Sequence, residues 1–337
     1  MNRNTAVAFT GENLVELREP PVPEPAAGEV LIRTRRTLIS TGTELTCLGR
    51  RFEPGSHWDQ WVKYPFFPGY SNAGVVVKTG AGVTAFKPGD RVASRAAHQR
   101  FVVAPEDALV RIPDAVSDDE AVWFGIACIV QNGVRRARHE LGDAVVVIGL
   151  GLLGQLAVQF TRLLGAREII AIDTAPRRLE FARAHGATLA LEKSAADARA
   201  DVLAATGGRL ADVVYDVTGH PAVLPHTFPL TRTLGKIVLL GDAGNPTQQH
   251  LTGELISRGL GIIGAHDNNP PKIATDADWW TRNHMADLFM TYLAQRRMRV
   301  ADLVTHRFAP AQAAEAYRRL VEDRSTAMGV VFDWDAV

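Results

Sequence analysis

Three glycines in the stretch VVVIGLGLLGQLAVQF, Gly149, Gly151 and Gly154, are spaced G-x-G-x-x-G between a β-branched apolar run and a helix-forming one. Each glycine in such a turn has its own task. Gly149 permits the tight bend, Gly151 lets a pyrophosphate approach the backbone, and Gly154 lets the helix pack closely on the sheet. The amides around Leu152 and Leu153 would then face phosphates at a helix N-terminus. Nineteen residues beyond Gly154 the next apolar run ends in Asp173. A carboxylate there can accept both ribose hydroxyls and would repel a 2′-phosphate, so the expected cofactor is NAD rather than NADP. Asp173 also stands where it could cap the helix that TAPRRLEFA would form. Arg177 and Arg178 lie close by, and an arginine at this strand end can instead hold a 2′-phosphate. Asp173, at the strand tip itself, outweighs them.

A second set of chemical residues is poorer in glycine and richer in hydroxyls. In FPGYSNAGVVVKTG a glycine turn feeds a valine strand, with Tyr70 and Ser71 at the junction. A phenol held there could donate a hydrogen bond to a developing alkoxide. His57, in EPGSHWDQW, offers an imidazole that titrates near neutrality and could shuttle a proton, although a loop histidine is more often exposed or structural. Trp58 and Trp61 can line a pocket for a ring-shaped substrate or pack their loop against the domain. The two cysteines, Cys47 and Cys128, are too few for a disulfide framework or a four-cysteine zinc site and read as small buried hydrophobes.

The elements that must position these groups fall into two textures. Up to about Asp118 the chain is a series of short β-branched runs cut by Pro and Gly, among them EVLIRTRRTLIS, AGVVVKTG, DRVAS, QRFVVAP and ALVRIP. Ser117 then caps a helix with acidic residues in its first turn. Beyond it, apolar runs alternate with helical periodicity: AVVVIG, a helix from Leu152, EIIAID, a helix from Pro176, ATLAL, a helix near Asp197, DVVYDV, KIVLLG and LGIIGA. That alternation predicts a parallel sheet with helices on both faces. A polar stretch, DNNPPKIATDADWW, reads as a loop. An amphipathic helix with its stripe at Met285, Leu288, Phe289, Tyr292 and Leu293 follows, then a helix in PAQAAEAYRRLVED and a last strand, MGVVFDW. The fold class is α/β, with a Rossmann doubly wound domain at 120–266 and a mainly β domain at 1–119 to which 267–337 returns.

Thirty-seven basic residues balance 37 acidic ones over 337 positions, so no global field would hold a nucleic acid or an anionic membrane. No apolar run is long enough to span a bilayer, and the first twenty residues are too polar for a signal peptide, which predicts a cytoplasmic protein. The expected partner is a small-molecule substrate.

The order of a β domain, a dinucleotide domain and a C-terminal return through DLVTHRFAPAQAAEAYRRL resembles the medium-chain dehydrogenase/reductase superfamily, in which the β domain is GroES-like. FKPGDRV, DVVYDVTG and GKIVLLG are further landmarks of the likeness. The resemblance implies that Thr218 and Gly241 lie at strand ends near the nicotinamide half of the cofactor. It also implies a homodimer through LGIIGA. Zinc-dependent members carry Gly-His-Glu where this chain has Gly69-Tyr70-Ser71, and Cys-Gly-Thr-Asp where it has Thr41-Gly42-Thr43-Glu44. Two zinc ligands are thus replaced, and no cysteine occurs between Asp90 and Phe101 for a structural zinc lobe, so no metal is expected. LISTGTEL, YPFFPGYSNAG and DLVTHRF are most similar to a zinc-independent branch that includes bacteriochlorophyllide a dehydrogenase. By the same resemblance Thr43 matches the position whose hydroxyl relays the substrate proton, and Glu44 replaces an acid that either orients Thr43 or pairs with an arginine. The implied activity is NAD-dependent interconversion of a secondary alcohol and a ketone on a large or polyhydroxylated metabolite. Reduction of an activated C=C bond and catalytically silent NAD binding are the alternatives.

Overall fold

The computed structural model describes residues 3–336. The chain forms two compact units. One comprises Met1–Arg51, His57–Cys128 and Pro271–Val337, and the other Phe52–Ser56 and Ile129–Pro270.

The first unit begins with an antiparallel hairpin of β1 (Ala6–Gly11) and β2 (Leu14–Arg18), which the sequence reading leaves unassigned. Then follow β3 (Glu29–Leu38), the helix α1 (Thr41–Leu48), the single-turn α2 (His57–Trp61), β4 (Asn72–Thr79), β5 (Arg91–Ser94), β6 (Phe101–Pro105) and β7 (Val110–Arg111). Alternate residues of β3, Val30 and Ile32, share one face of the pleat and pack on Val76, Val92, Val102 and Leu109. The expected strand ALVRIP shrinks to the two residues of β7. Ser117 caps α3 (Asp118–Ala121) through a capping box with Glu120, and α4 (Phe124–Ala137) carries the chain into the second unit.

In the second unit, β8 (Ala144–Ile148), α5 (Leu152–Leu163), β9 (Glu168–Asp173), α6 (Pro176–His185), β10 (Leu189–Glu192), α7 (Arg199–Ala205), β11 (Ala211–Asp216), α8 (Leu224–Thr227), β12 (Thr231–Leu239), α9 (Glu254–Ser257) and β13 (Gly261–Gly264) alternate along the chain. The six strands pair in parallel in the order β10-β9-β8-β11-β12-β13. This is the doubly wound arrangement. Every residue of β8 and β11 is buried, as strands covered on both faces require. The strand order reverses at β8, so the carboxyl ends of β8 and β11 flank the point where ligands of such sheets bind. The expected helix near Asp197 is a 3₁₀ turn, Ala195–Asp197, with the α-helix starting two residues later.

The chain returns to the first unit with α10 (Arg282–Ala294), β14 (Val304–Phe308), α11 (Ala313–Glu322) and β15 (Gly329–Asp333). β15 pairs with β3, completing the order β14-β15-β3-β4-β5-β7, with β6 also paired to β3, on the edge away from β4. The buried face of α10 is Met285, Ala286, Phe289, Met290 and Leu293. Leu288 and Tyr292, expected in its stripe, are only half-buried, because small Ala286 and flexible Met290 take the side that meets the core. Among the described residues no helix is long and apolar enough to cross a membrane.

Candidate active site

At the carboxyl end of β8 the chain turns through Gly149 at φ +90°, a conformation that penalises any residue with a Cβ. A methyl group on Gly149 would also lie 2.9 Å from Thr218 Cγ2. Gly154 meets the turn from the helix side, where a methyl would overlap the Gly149 carbonyl oxygen. Gly151 is different: nothing lies within 4 Å of where its Cβ would stand. It is the N-cap of α5 and brings no side chain to satisfy the first amides of the helix. The turn is therefore closed on its protein side and open at Gly151, beside a twelve-residue helix whose leading N–H groups are available to an anion. That is the shape a dinucleotide pyrophosphate requires.

Asp173 closes the neighbouring strand end. It is 8% exposed. Its Oδ2 accepts the Leu150 N–H at 2.7 Å and its Oδ1 the Ala175 N–H at 2.9 Å. The N-cap of α6 is Ala175, so Asp173 stands outside the helix and braces the glycine turn instead of capping. An Nη of Arg178 lies 3.7 Å from its carboxylate. Arg177 stacks over the ring of Phe181. At the end of β11, Thr218 donates its hydroxyl to Asp216 Oδ1 at 2.7 Å, and burial pushes the Asp216 carboxyl above its ordinary value. Gly241, after β12, donates its N–H to the Asp216 carbonyl at 3.0 Å and leaves no room for a side chain, since a Cβ would stand 2.7 Å from the Val217 carbonyl carbon. Gly149, Thr218 and Gly241 thus line the carboxyl ends of β8, β11 and β12.

In the first unit the hydroxyls gather. Gly69, at φ +100°, bends the chain around His98, and a Cβ there would lie 2.9 Å from the imidazole. The bend delivers Tyr70, whose hydroxyl is 2.5 Å from Ser40 Oγ and lies near Thr43. Burial pushes the Tyr70 phenol above its ordinary value, while the Ser40 and Thr43 hydroxyls and the nearby Arg95 cation pull it down. The Arg95 guanidinium sits 4.9 Å from the Tyr70 ring centroid. Thr43 and Tyr70, far apart in sequence, are neighbours in space, and both are half-buried.

Glu44 lies beneath this corner at 1% exposure. Its Oε1 accepts the Ser40 N–H at 2.8 Å, and its Oε2 faces His98 Nε2 at 3.1 Å and accepts the Tyr317 hydroxyl. Neither expected role is seen: among the described residues no arginine pairs with Glu44, and its Oε1 serves Ser40 rather than Thr43. The reason is burial: the first turn of α1 points it at the interior, where His98 and Tyr317 are the polar groups in reach. Burial and the Glu44 charge hold the Tyr317 phenol well above its ordinary value. His57 opens α2 with an exposed ring tilted against Trp58. Trp58 is buried, Trp61 is 52% exposed, and the two continue through Phe66 to Phe9 as a row of aromatic contacts that packs the loop on the unit.

Zinc chemistry can be weighed on the donor set. Positions 41 and 70 supply hydroxyls, neither a usual zinc ligand, and the Tyr70 oxygen is already engaged by Ser40. Cys47 is buried with its thiol held well above the ordinary range, and Cys128 Sγ contacts the Arg282 carbonyl oxygen at 3.5 Å. These residues do not fit a catalytic zinc.

Ser40, His98, Arg95 and Tyr317 were not singled out from the sequence. Only Ser40 carried a signal, a serine directly before a helix start. The others join the corner by tertiary packing alone.

The comparisons agree with this architecture. Residues 26–114 match the alcohol dehydrogenase GroES-like domain and residues 153–281 the zinc-binding dehydrogenase domain, together more than half of the chain. The chain belongs to the zinc-type alcohol dehydrogenase family of the medium-chain dehydrogenases. It is similar to sorbitol dehydrogenase of Gallus gallus, with 26% identity over 92% of this chain and 94% of that one. It is also similar to D-guloside 3-dehydrogenase of Escherichia coli K12, with 26% identity over 98% of this chain and all of the other. An alcohol dehydrogenase from Escherichia coli CFT073 complexed with NADH shares the fold at a TM-score of 0.83 and 21% identity, over 99% and 100% of the two chains. A zinc-binding dehydrogenase from Sinorhizobium meliloti 1021 bound to NADP shares it at 0.83 and 17%, with the same coverage. The residues that match the zinc-named model begin after positions 41 and 70, so its name does not describe the donors there.

Proposed function

We propose that this chain is an NAD-dependent dehydrogenase that interconverts a secondary alcohol and a ketone on a polyol or a similarly hydroxylated metabolite, and that it does so without zinc. The observation that carries the reading is the Tyr70 hydroxyl, which stands where the family's zinc-dependent members place a ligand and is hydrogen-bonded to Ser40 with Thr43 beside it. The relatives named for sorbitol and for a guloside support a hydroxylated substrate. The open Gly151 and the leading amides of α5 would hold the pyrophosphate of NAD, and Asp173 its adenosine ribose. Bound NAD would supply the hydride acceptor. As hydride leaves the carbinol carbon, the hydroxyl proton of the substrate passes to the oxygen of a Tyr70 that has already given its own proton to solvent, with Thr43 beside it; in the reducing direction the Tyr70 phenol returns that proton to the alkoxide. Arg95, over the Tyr70 ring, favours negative charge on the phenol oxygen while a proton is in transit. The exposed edge strand β13 is where we place a homodimer contact.

The test is NADH formation from a panel of sorbitol, other sugar alcohols and 2,3-butanediol, followed by single-turnover hydride transfer in Tyr70→Phe and Thr43→Val. Loss of a donor that acts in the transition state costs on the order of 10² to 10³ in rate, with folding unchanged in thermal melts. Full rate in both variants would remove the corner from the chemistry. One zinc per chain, lost together with activity on chelation, would overturn the metal-free reading. NADPH-linked reduction of quinones in place of alcohol turnover would favour the C=C reductase alternative.

A further inference from the structure

Ser40 is the N-cap of α1, and a serine there ordinarily turns its hydroxyl inward to accept an amide of the first turn, an interaction typically worth about 1 kcal/mol. Ser40 makes no such bond. Its hydroxyl points instead to Tyr70 at 2.5 Å, a contact between two side chains thirty residues apart. What holds the residue in place is its main chain. The Ser40 carbonyl oxygen accepts the Glu44 N–H at 2.8 Å, and the Ser40 N–H donates to Glu44 Oε1 at 2.8 Å. Glu44 in turn is fixed by His98 and Tyr317, both 0% exposed. A side chain 2% exposed and clamped through its backbone has little freedom to swing away.

The consequence follows from counting protons. A phenol has one O–H to give and can accept at its oxygen. When Ser40 donates to the Tyr70 oxygen, the single proton of Tyr70 is released to point at Thr43 or at a substrate. When Tyr70 passes that proton on, the Ser40 donor remains to stabilise the oxygen left behind. We infer that Ser40 is a positioning residue for Tyr70, and that the buried Glu44, His98 and Tyr317 cluster exists to hold the Ser40 main chain where its hydroxyl can serve the phenol. Ser40 needs no contact with substrate for this. The inference rests on the reading of Tyr70 as the reacting hydroxyl. The direction of the Ser40 effect on the phenol, downward against the upward push of burial, agrees with it.

The test needs no substrate. The chain has five tyrosines, so ring-carbon-labelled protein gives few resonances, and the one missing from Tyr70→Phe is Tyr70. In Ser40→Ala the Tyr70 resonance should move, and its titration should shift to higher pH. Ser40→Thr, which keeps the hydroxyl, should restore both. An unmoved Tyr70 resonance and titration in a folded Ser40→Ala protein would overturn the inference. With sorbitol or another alcohol that the unmodified protein oxidises, Ser40→Ala should move the alkaline limb of the hydride-transfer profile upward. Adding it to Tyr70→Phe should cost no further rate, since its effect passes through the lost hydroxyl. A further loss in the double variant would also count against it. Failure of the underlying reading looks different: Tyr70→Phe would keep full rate while Ser40→Ala still moved the Tyr70 resonance.

Discussion

The glycine turn after β8 and the hydroxyl corner at the start of α1 both offer hydrogen-bonding groups, but they are made of different parts. The turn is main chain: amides at the start of α5, a bend at Gly149 that only glycine tolerates cheaply, and an open face at Gly151. Its shape follows from what side chains are absent. The corner is side chain throughout, with Ser40, Thr43, Tyr70 and Arg95 over a floor of Glu44, His98 and Tyr317. A site of the first kind should fail by obstruction, and a site of the second by losing one polar group at a time.

The sharpest contrast lies within the turn itself. Gly154→Val puts a branched side chain where even a methyl overlaps the Gly149 carbonyl, so the helix must retreat from the sheet. Overpacking of this kind typically costs about 1–3 kcal/mol, and NADH binding should be lost with it. Gly151→Ala meets no protein atom and should leave the melting temperature unchanged, yet it places a methyl where the pyrophosphate is to pass. Weaker NADH binding in a fully stable Gly151→Ala protein, measured by fluorescence titration beside thermal melts, separates obstruction of the ligand from damage to the fold. Unimpaired NADH binding by Gly151→Ala would mean that the phosphates lie elsewhere.

This contrast also explains what could be read from the sequence. G-x-G-x-x-G is a local pattern, and a parallel sheet follows from apolar runs alternating with helical ones, so the strands of the second unit and its first helices were legible in the sequence. Tyr70 and Thr43 could be picked out by their places in short motifs. Glu44 was misjudged because its partners come from distant segments: His98 is 54 residues away and Tyr317 is 273. No periodicity announces such a meeting. The α10 stripe was right at Met285, Phe289 and Leu293 and wrong at Leu288 and Tyr292, since a helix wheel cannot tell how far round the core will reach.

Asp173 joins the two kinds of site, because it is a side chain that serves the main-chain turn. Asp173→Ala removes an acceptor from the Leu150 and Ala175 amides together with the charge that would meet a 2′-phosphate. NADH affinity should fall by about tenfold or more, the scale of one charged hydrogen bond, while NADPH affinity falls less or rises. The gap between the two cofactors therefore narrows. Asp173→Asn, which keeps one acceptor oxygen for the turn, should lose cofactor preference with less loss of stability. A clear preference for NADPH in the unmodified protein would reverse the assignment and move attention to Arg177 and Arg178.

The smallest effect tests whether the floor beneath the corner is special or merely one buried histidine cluster among others. The second unit contains a cluster of the same chemistry: His139 Nδ1 lies 3.0 Å from Asp143 Oδ2, and its Nε2 lies 2.7 Å from the Tyr215 hydroxyl. His139 and Asp143 lie just before β8, whose other end makes the glycine turn, and Tyr215 comes from β11. The His139 imidazole is 3% exposed, and burial, helped by the Lys236 charge, lowers its basicity against the opposing pull of Asp143 and Asp212. Because the folded value lies below the ordinary one of about 6.5, the unfolded chain binds the extra proton first as the solution is acidified. The stability that neutral His139 contributes is thus fully present above that pH and is lost as the pH falls from it through the folded value. Melting temperatures should fall in that window, with a slope of at most about 1.4 kcal/mol per pH unit for one proton. His139→Gln, which cannot take up a proton there, should flatten the slope while leaving the pH profile of hydride transfer unchanged. Ser40→Ala should do the reverse, shifting the kinetic profile with little change in the acid slope of the melts. Were His139→Gln to shift the kinetic profile as well, the two clusters would be coupled, and the assignment of the Glu44 cluster to Ser40 alone would fail.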